Sequence, residues 1–237
     1  ILFRLVRALA KRHEIDMVEL INRPGEPLIA EYEKCGARFV SQAAIRSYDA
    51  ILCNTITASR VVSRIGGRTP VLWWIHEPRF GRYYLQQEGF RFDAFEAADR
   101  IVFPTLWQAN TLYRQYLKRQ NWTVVPYGIG MDLSPRPCPF DKEPGKFYLL
   151  HLGRVDRRKG QDLSARAIAH LGNPEIKLVC VGNCPTDDPY VKRVNEIGID
   201  ITYTGNVGED EVAAYIQHCD AMVFPTRDDL ITLAILE

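Results

Sequence analysis

Phe147-Tyr-Leu-Leu-His-Leu-Gly-Arg-Val-Asp-Arg-Arg-Lys-Gly-Gln-Asp162 decides how this chain is read. Tyr148, Leu149, Leu150 and Leu152 form an apolar run of strand length, and Gly153 marks its end. From Gly160 to Leu171 the period changes to that of a helix, with Leu163, Ala167 and Leu171 on one face and Gly172 and Pro174 closing it. Between strand and helix lie Arg154, Arg157, Arg158 and Lys159. Fixed cations beside the backbone N–H groups of a helix N-terminus suit a phosphate-like anion, and a solvated basic loop is the plain alternative.

Outward from this stretch, strands and helices alternate. Candidate strands fall at Ile15–Leu20, Ala37–Val40, Asp49–Asn54, Pro70–Ile75, Arg100–Phe103 and Trp122–Val125, with helices at Pro27–Cys35, Thr57–Arg64 and Trp107–Leu117 between them. After Leu152 the expected strands are 176–181, 200–203 and 221–224, and the helices 187–196 and 209–219. Parallel strands need crossover helices, so the pattern implies an α/β protein with helices over both faces of its sheets. The segment 133–146 carries a proline cluster and separates the two series. We therefore expect a Rossmann-like domain over 1–132, a linker over 133–146 and a second Rossmann-like domain over 147–237, with a ligand cleft between the domains. The chain starts without Met inside an amphipathic helix and stops inside an apolar run, so both domains are expected to be truncated at their outer ends.

A net charge of +1 argues against a nucleic-acid partner, and no apolar run approaches 18 residues. Cys180 and Cys219 read as small core residues, and although Cys180 and Cys184 are four apart, no second Cys/His pair accompanies them to make a zinc site. His76 and Glu77 follow an apolar strand at the end where doubly wound sheets bind ligands. Asp229 and Glu237 are eight positions apart after the last strand.

Several of these stretches together resemble the retaining glycosyltransferases of family 4, which have the GT-B fold. Gly153-Arg154-Val155 with Lys159-Gly160 is similar to the family's Gly-Arg-Leu…Lys-Gly motif. Val125-Pro-Tyr-Gly128 with Asp132 resembles its Pro-Asn-Gly-Val-Asp stretch, and Phe224–Glu237 its Pro-Ser…Glu, seven residues, Glu signature. The resemblance implies two Rossmann-like domains facing across a cleft. It also implies a nucleoside-diphosphate sugar such as a UDP-sugar as donor, a carbohydrate or lipid-linked acceptor, and hexosyl transfer in glycan, polysaccharide or glycolipid biosynthesis. By the same resemblance Arg154 and Lys159, with Gly153 beside them, would hold the donor diphosphate, to which Thr232 and Leu233 would offer N–H groups. Glu237 would bond the ribose, Asp229 would face the sugar hydroxyls, and His76 would lie near the transferred sugar. No cofactor and no bound metal is implied, and the setting would be cytoplasmic.

The signature departs from the family at Asp229, usually Glu, at Leu230-Ile231-Thr232, usually Gly-Phe-Gly, and at Tyr127, usually Asn. The stretch from Val40 to Asp49 is short for the family. An inactive nucleotide-sugar binding module and a sugar-nucleotide epimerase of the same fold remain alternatives; an NAD-dependent oxidoreductase lacks its Gly-x-Gly-x-x-Gly. A helix carrying Arg82, Arg91 and exposed Tyr83 and Tyr84 offers a peripheral membrane contact, against the plainer reading of a solvated face.

Overall fold

The computed structural model describes residues 2–18, 27–40, 48–128, 130, 134–231 and 235. The chain divides into two compact units, Ile1–Tyr127 and Gly128–Glu237.

In the first unit, helix α1 (Leu2–Leu9), strand β1 (Ile15–Met17), helix α2 (Pro27–Lys34) and strand β2 (Ala37–Phe39) form a small layer whose two strands pair in parallel. Val6, Tyr32 and Ala37 are its buried core. The main sheet holds β3 (Ile51–Asn54), β4 (Val71–Trp74), β5 (Arg100–Phe103) and β6 (Trp122–Val124), parallel and in sequence order. Helices α3 (Ser59–Ile65), α4 (Gly81–Leu85), α5 (Ala94–Ala97) and α6 (Leu106–Gln108) connect these strands. Trp73, Phe95, Phe103 and Tyr113 fill the core, while Leu52 and Leu72 on the alternate face of the sheet are partly exposed.

Residues expected to form one helix over 107–117 break into three pieces. After α6 the backbone widens into a π turn at Ala109–Tyr113 and tightens into a 3₁₀ turn at Arg114–Tyr116. The widening accompanies complete burial of Tyr113, whose ring stacks on Phe103 at 5.5 Å. The expected surface helix is also corrected. Helix α4 ends at Leu85, so Arg91 is not on it and pairs instead with Asp93 at 3.0 Å. Tyr84 is half-buried against the core, leaving Tyr83 as the exposed ring of that pair.

The second unit contains β7 (Phe147–Leu152), α7 (Gln161–Leu171), β8 (Ile176–Val181), α8 (Pro189–Asn195), β9 (Ile201–Tyr203), α9 (Glu209–His218) and β10 (Ala221–Met222). Its parallel sheet has the order β10-β7-β8-β9. Both faces are covered. Val155, Ile168, Leu178 and Val191 pack on one side, and Tyr148, Leu150, Val179 and Tyr215 on the other. That two-sided burial is why β7 and β8 read as unbroken apolar runs rather than alternating ones. Strand β10 is shorter than the expected 221–224, although Val223 still donates to the Leu150 carbonyl at 2.9 Å.

The proline-containing segment is pinned to this unit. Arg136 pairs with Asp210 at 2.7 Å and its carbonyl meets His218 Nε2 at 2.7 Å; the Phe140 ring lies 4.7 Å from that of Tyr148. Among the described residues, no helix is long and apolar enough to cross a membrane.

Candidate functional site

The strand order creates a switch point. From β7 the chain proceeds through β8 to β9 on one side and then returns to place β10 on the other side of β7. In open parallel sheets, the loops leaving the carboxyl ends of two such strands diverge and leave room for a ligand. Here those loops are 153–160, after β7, and 223–231, after β10.

The first loop is held rigidly. Gly153 N–H donates to the Val181 carbonyl at 2.8 Å, and the neighbouring backbone passes so close that a Cβ on Gly182 would lie 2.7 Å from the Gly153 carbonyl carbon. Val155 is fully buried and donates to the Asn183 carbonyl at 2.8 Å. Asp156 accepts the Lys159 N–H on its side chain at 2.9 Å, the local turn that aspartate favours. Buried Gln161 donates to the Arg154 carbonyl at 3.0 Å, latching the loop to the start of α7. Gly160 adopts φ +83°, and a Cβ there would collide with the Pro225 carbonyl oxygen. At this glycine the two loops touch.

Their side chains converge on Asp229. Lys159 Nζ lies 2.6 Å from Asp229 Oδ2, Arg158 Nη1 lies 3.4 Å from Oδ1, and Thr226 Oγ1 lies 3.4 Å from Oδ2. The Lys159 stem runs over Gly153, and its ammonium sits 4.9 Å from the centre of the Phe224 ring. The side chains of Lys159 and Asp229 are only 13% and 17% exposed. The shorter aspartate thus reaches the lysine directly. Arg154 is exposed and makes no ion pair with the described residues.

A second layer of contacts binds the loops together. Arg227 N–H and Thr226 Oγ1 both donate to the Arg158 carbonyl, at 2.8 and 3.1 Å. The Arg227 guanidinium grips Asp162 with two bonds of 2.8 Å and donates to the Arg157 carbonyl at 2.7 Å. Tyr190 adds a 2.7 Å bond to the same carboxylate. The Arg227 fork, with the Tyr190 hydroxyl, holds the Asp162 pKa down to about 2. Beneath the loop, His151 bonds Ser164 Oγ at 3.0 Å, and burial pushes its pKa down to about 4.

The first unit has its own polar cluster at the carboxyl ends of β3 and β4. Glu77 accepts the N–H groups of Ile56 at 3.0 Å and His76 at 3.2 Å, and burial raises its pKa. Gln108 donates to the Ile75 and Glu77 carbonyls at 3.2 and 2.8 Å. His76 stacks on Trp74 with centroids 5.6 Å apart; its Nε2 is buried with no hydrogen-bond partner among the described residues, and burial lowers its pKa. Thr55 nearby adopts φ 78°, ψ 157°, a region almost reserved for glycine.

The structure therefore brings Lys159 and Asp229 together beside Gly153, with Arg154 exposed on the same loop. Asp132, Thr232, Leu233 and Glu237 lie outside the described residues, as does 41–47 of the short stretch after Val40. Sequence reasoning gave no separate role to Arg158, Thr226 or Arg227. For Thr226 and Arg227 the signal was the run Pro225-Thr-Arg-Asp-Asp229, where the motif match gave a role only to the acidic end.

Residues 146–237 match the family model described as glycosyl transferases group 1. Among solved structures, Anabaena Alr3699/HepE in complex with UDP and glucose is 15% identical, with a TM-score of 0.68 over 95% of this chain and 70% of that one. The lipopolysaccharide outer core galactosyltransferase WaaB is 10% identical, with a TM-score of 0.62 over 95% and 69%. An S. aureus TarM mutant in complex with Fondaparinux, alpha-GlcNAc-glycerol and UDP is 11% identical, with a TM-score of 0.55 over 71% and 34%. No curated protein sequence matches. At these identities the likeness shows a shared fold, and two tandem Rossmann-like units make it the GT-B class that the motifs imply.

Proposed function

We propose that this chain transfers a sugar from a nucleoside-diphosphate sugar, of the UDP type, to a hydroxyl on a carbohydrate or lipid-linked acceptor, in glycan, polysaccharide or glycolipid biosynthesis. The observation that carries the reading is the convergence of Lys159 and Arg158 on one mostly buried carboxylate at the switch point of the second sheet. Cations held there by a rigid loop are set to bind an anion. The group 1 match over 146–237 and the HepE complex with UDP support the choice of anion.

In this reading Lys159 and Arg154 bind the donor diphosphate beside Gly153. Asp229 contacts sugar hydroxyls, His76 serves the transferred sugar, Thr232 and Leu233 donate to phosphate, and Glu237 holds the ribose. The bond between the anomeric carbon and the diphosphate oxygen breaks as the acceptor oxygen attacks from the same face, giving retention. The acceptor proton passes to the departing phosphate oxygen, so the products are the glycoside and the nucleoside diphosphate. Fixed cations stabilise the charge that develops on the leaving group, and removing one such donor costs about 10²- to 10³-fold in rate. The two side chains take the part of a metal. The setting is cytoplasmic, with peripheral contact at the inner face of the membrane where the acceptor is lipid-linked.

The test is release of nucleoside diphosphate from UDP-, GDP- and ADP-sugars across an acceptor panel, with the anomeric configuration of the product read by NMR and each rate repeated in EDTA. Retained configuration and EDTA-insensitive turnover are expected. Binding without release would favour an inactive module, and an epimerised nucleotide sugar an epimerase.

A further inference from the structure

Lys159 and Asp229 sit on different loops, and something must set the register between them. The basic loop follows β7 and the acidic loop follows β10; strand β10 pairs with β7 at only Ala221 and Met222. So short a ladder leaves the segment beyond it to be placed by other contacts. Arg227 supplies four of these, beside the bonds from Arg158 Nη1 to the Asp228 carbonyl and from Thr226 Oγ1 to the Arg158 carbonyl. The Arg227 backbone N–H bonds the Arg158 carbonyl, and its guanidinium bonds the Arg157 carbonyl and both oxygens of Asp162.

We propose that Arg227 is a positioning residue for the donor diphosphate. By clamping the acidic loop to the basic loop and to the first turn of α7, it fixes where the Lys159 ammonium stands, without touching the ligand itself. The inference rests on the donor reading given above and extends it to a residue that no motif assigns.

Two physical arguments support it. The first is geometric. A planar guanidinium that makes two parallel bonds to a carboxylate is held in orientation as well as distance, which a single ammonium cannot reproduce. Asp162 is itself braced by the Tyr190 hydroxyl, so the clamp is anchored to α7 and α8 together. The second is electrostatic. Asp162 lies three positions after Lys159, and unpaired it would place a negative charge beside the site meant for a diphosphate. Arg227 neutralises that charge while its own side chain remains about one-third exposed.

The test compares the wild-type chain with Arg227→Lys and Arg227→Ala. Affinities for UDP, GDP and ADP are measured by titration calorimetry, and that of the nucleoside matching the best binder by ligand-observed NMR. A shift of loop register by about 1 Å is expected to weaken diphosphate binding about ten- to a hundred-fold in Arg227→Ala while leaving nucleoside affinity unchanged. Arg227→Lys, which keeps the charge but not the fork, should restore little of the loss. Full recovery in Arg227→Lys would overturn the clamp, as would wild-type diphosphate affinity in Arg227→Ala, or equal loss of diphosphate and nucleoside. A wild-type chain that binds none of the three diphosphates overturns the donor reading first, and this inference with it.

Discussion

Replacing Asp229 with Asn should move stability and ligand affinity in opposite directions. In the ligand-free chain Asp229 is held by Lys159 at 2.6 Å and more loosely by Arg158 at 3.4 Å. The side chains of the Lys159–Asp229 pair are 13% and 17% exposed, so the pair lies between two measured regimes. Exposed pairs contribute about 0–1 kcal/mol, and breaking a fully buried one costs about 3–5 kcal/mol. An asparagine oxygen still accepts a hydrogen bond from Lys159, so we expect Asp229→Asn to cost about 1–2 kcal/mol of folding stability. The same attraction competes with an incoming diphosphate for Lys159. Removing it should tighten UDP or pyrophosphate binding about ten-fold, the equivalent of about 1.4 kcal/mol. Turnover should nevertheless fall, since the carboxylate proposed to contact the donor sugar is gone. Urea unfolding, calorimetric titration with UDP and inorganic pyrophosphate at fixed salt, and diphosphate release measure the three effects. Unchanged or weaker diphosphate binding in the variant would refute the placement of the anion at Lys159.

Gly160→Ala should cost about 2 kcal/mol or more, because the position has φ +83° and the new Cβ meets the Pro225 carbonyl; an unchanged urea midpoint would contradict the contact between the loops. Thr55→Gly should stabilise the first unit by about 1 kcal/mol by relieving a backbone conformation that threonine strongly disfavours, and a lower midpoint would show that the threonine contacts matter more. His151 gives a pH signature. Its folded pKa is about 4, below the ordinary histidine value of about 6.5. Between those values the unfolded chain binds a proton that the native chain does not, so stability is lost as pH falls. The His151 share of the loss from pH 7 to pH 5 should be about 2 kcal/mol, and the slope should fall by that much in His151→Gln. An identical slope in the variant would assign the pH dependence to other groups.

Much of the second unit was legible because its physics is local. The β7 run, Gly153 and the helical period after Gly160 mark a strand, a turn and a helix, and they appear at those residues. The helix over 107–117 was misread because periodicity records which side chains are buried, not how the backbone adjusts to seat Tyr113. At the candidate site, Lys159 and Asp229 could be named from their motifs. Their 2.6 Å contact could not, since 70 positions separate them and only the return of β10 beside β7 joins them. Arg227 was illegible for the same reason: its partner Asp162 lies 65 positions away, and an arginine beside two aspartates reads as a solvated charge run. The expected aromatic helix with Arg91 failed because a basic-aromatic composition carries no information about where α4 ends.

The central claim is that the anion site of this chain stands at Lys159, where the loops after β7 and β10 meet. A crystal structure of the chain soaked with the nucleoside diphosphate that binds best would test it most directly. We expect diphosphate oxygens within hydrogen-bonding distance of Lys159 Nζ, with Asp229 displaced from or sharing that ammonium. A nucleotide bound elsewhere, with the Lys159–Asp229 pair intact and no phosphate beside it, would contradict the account.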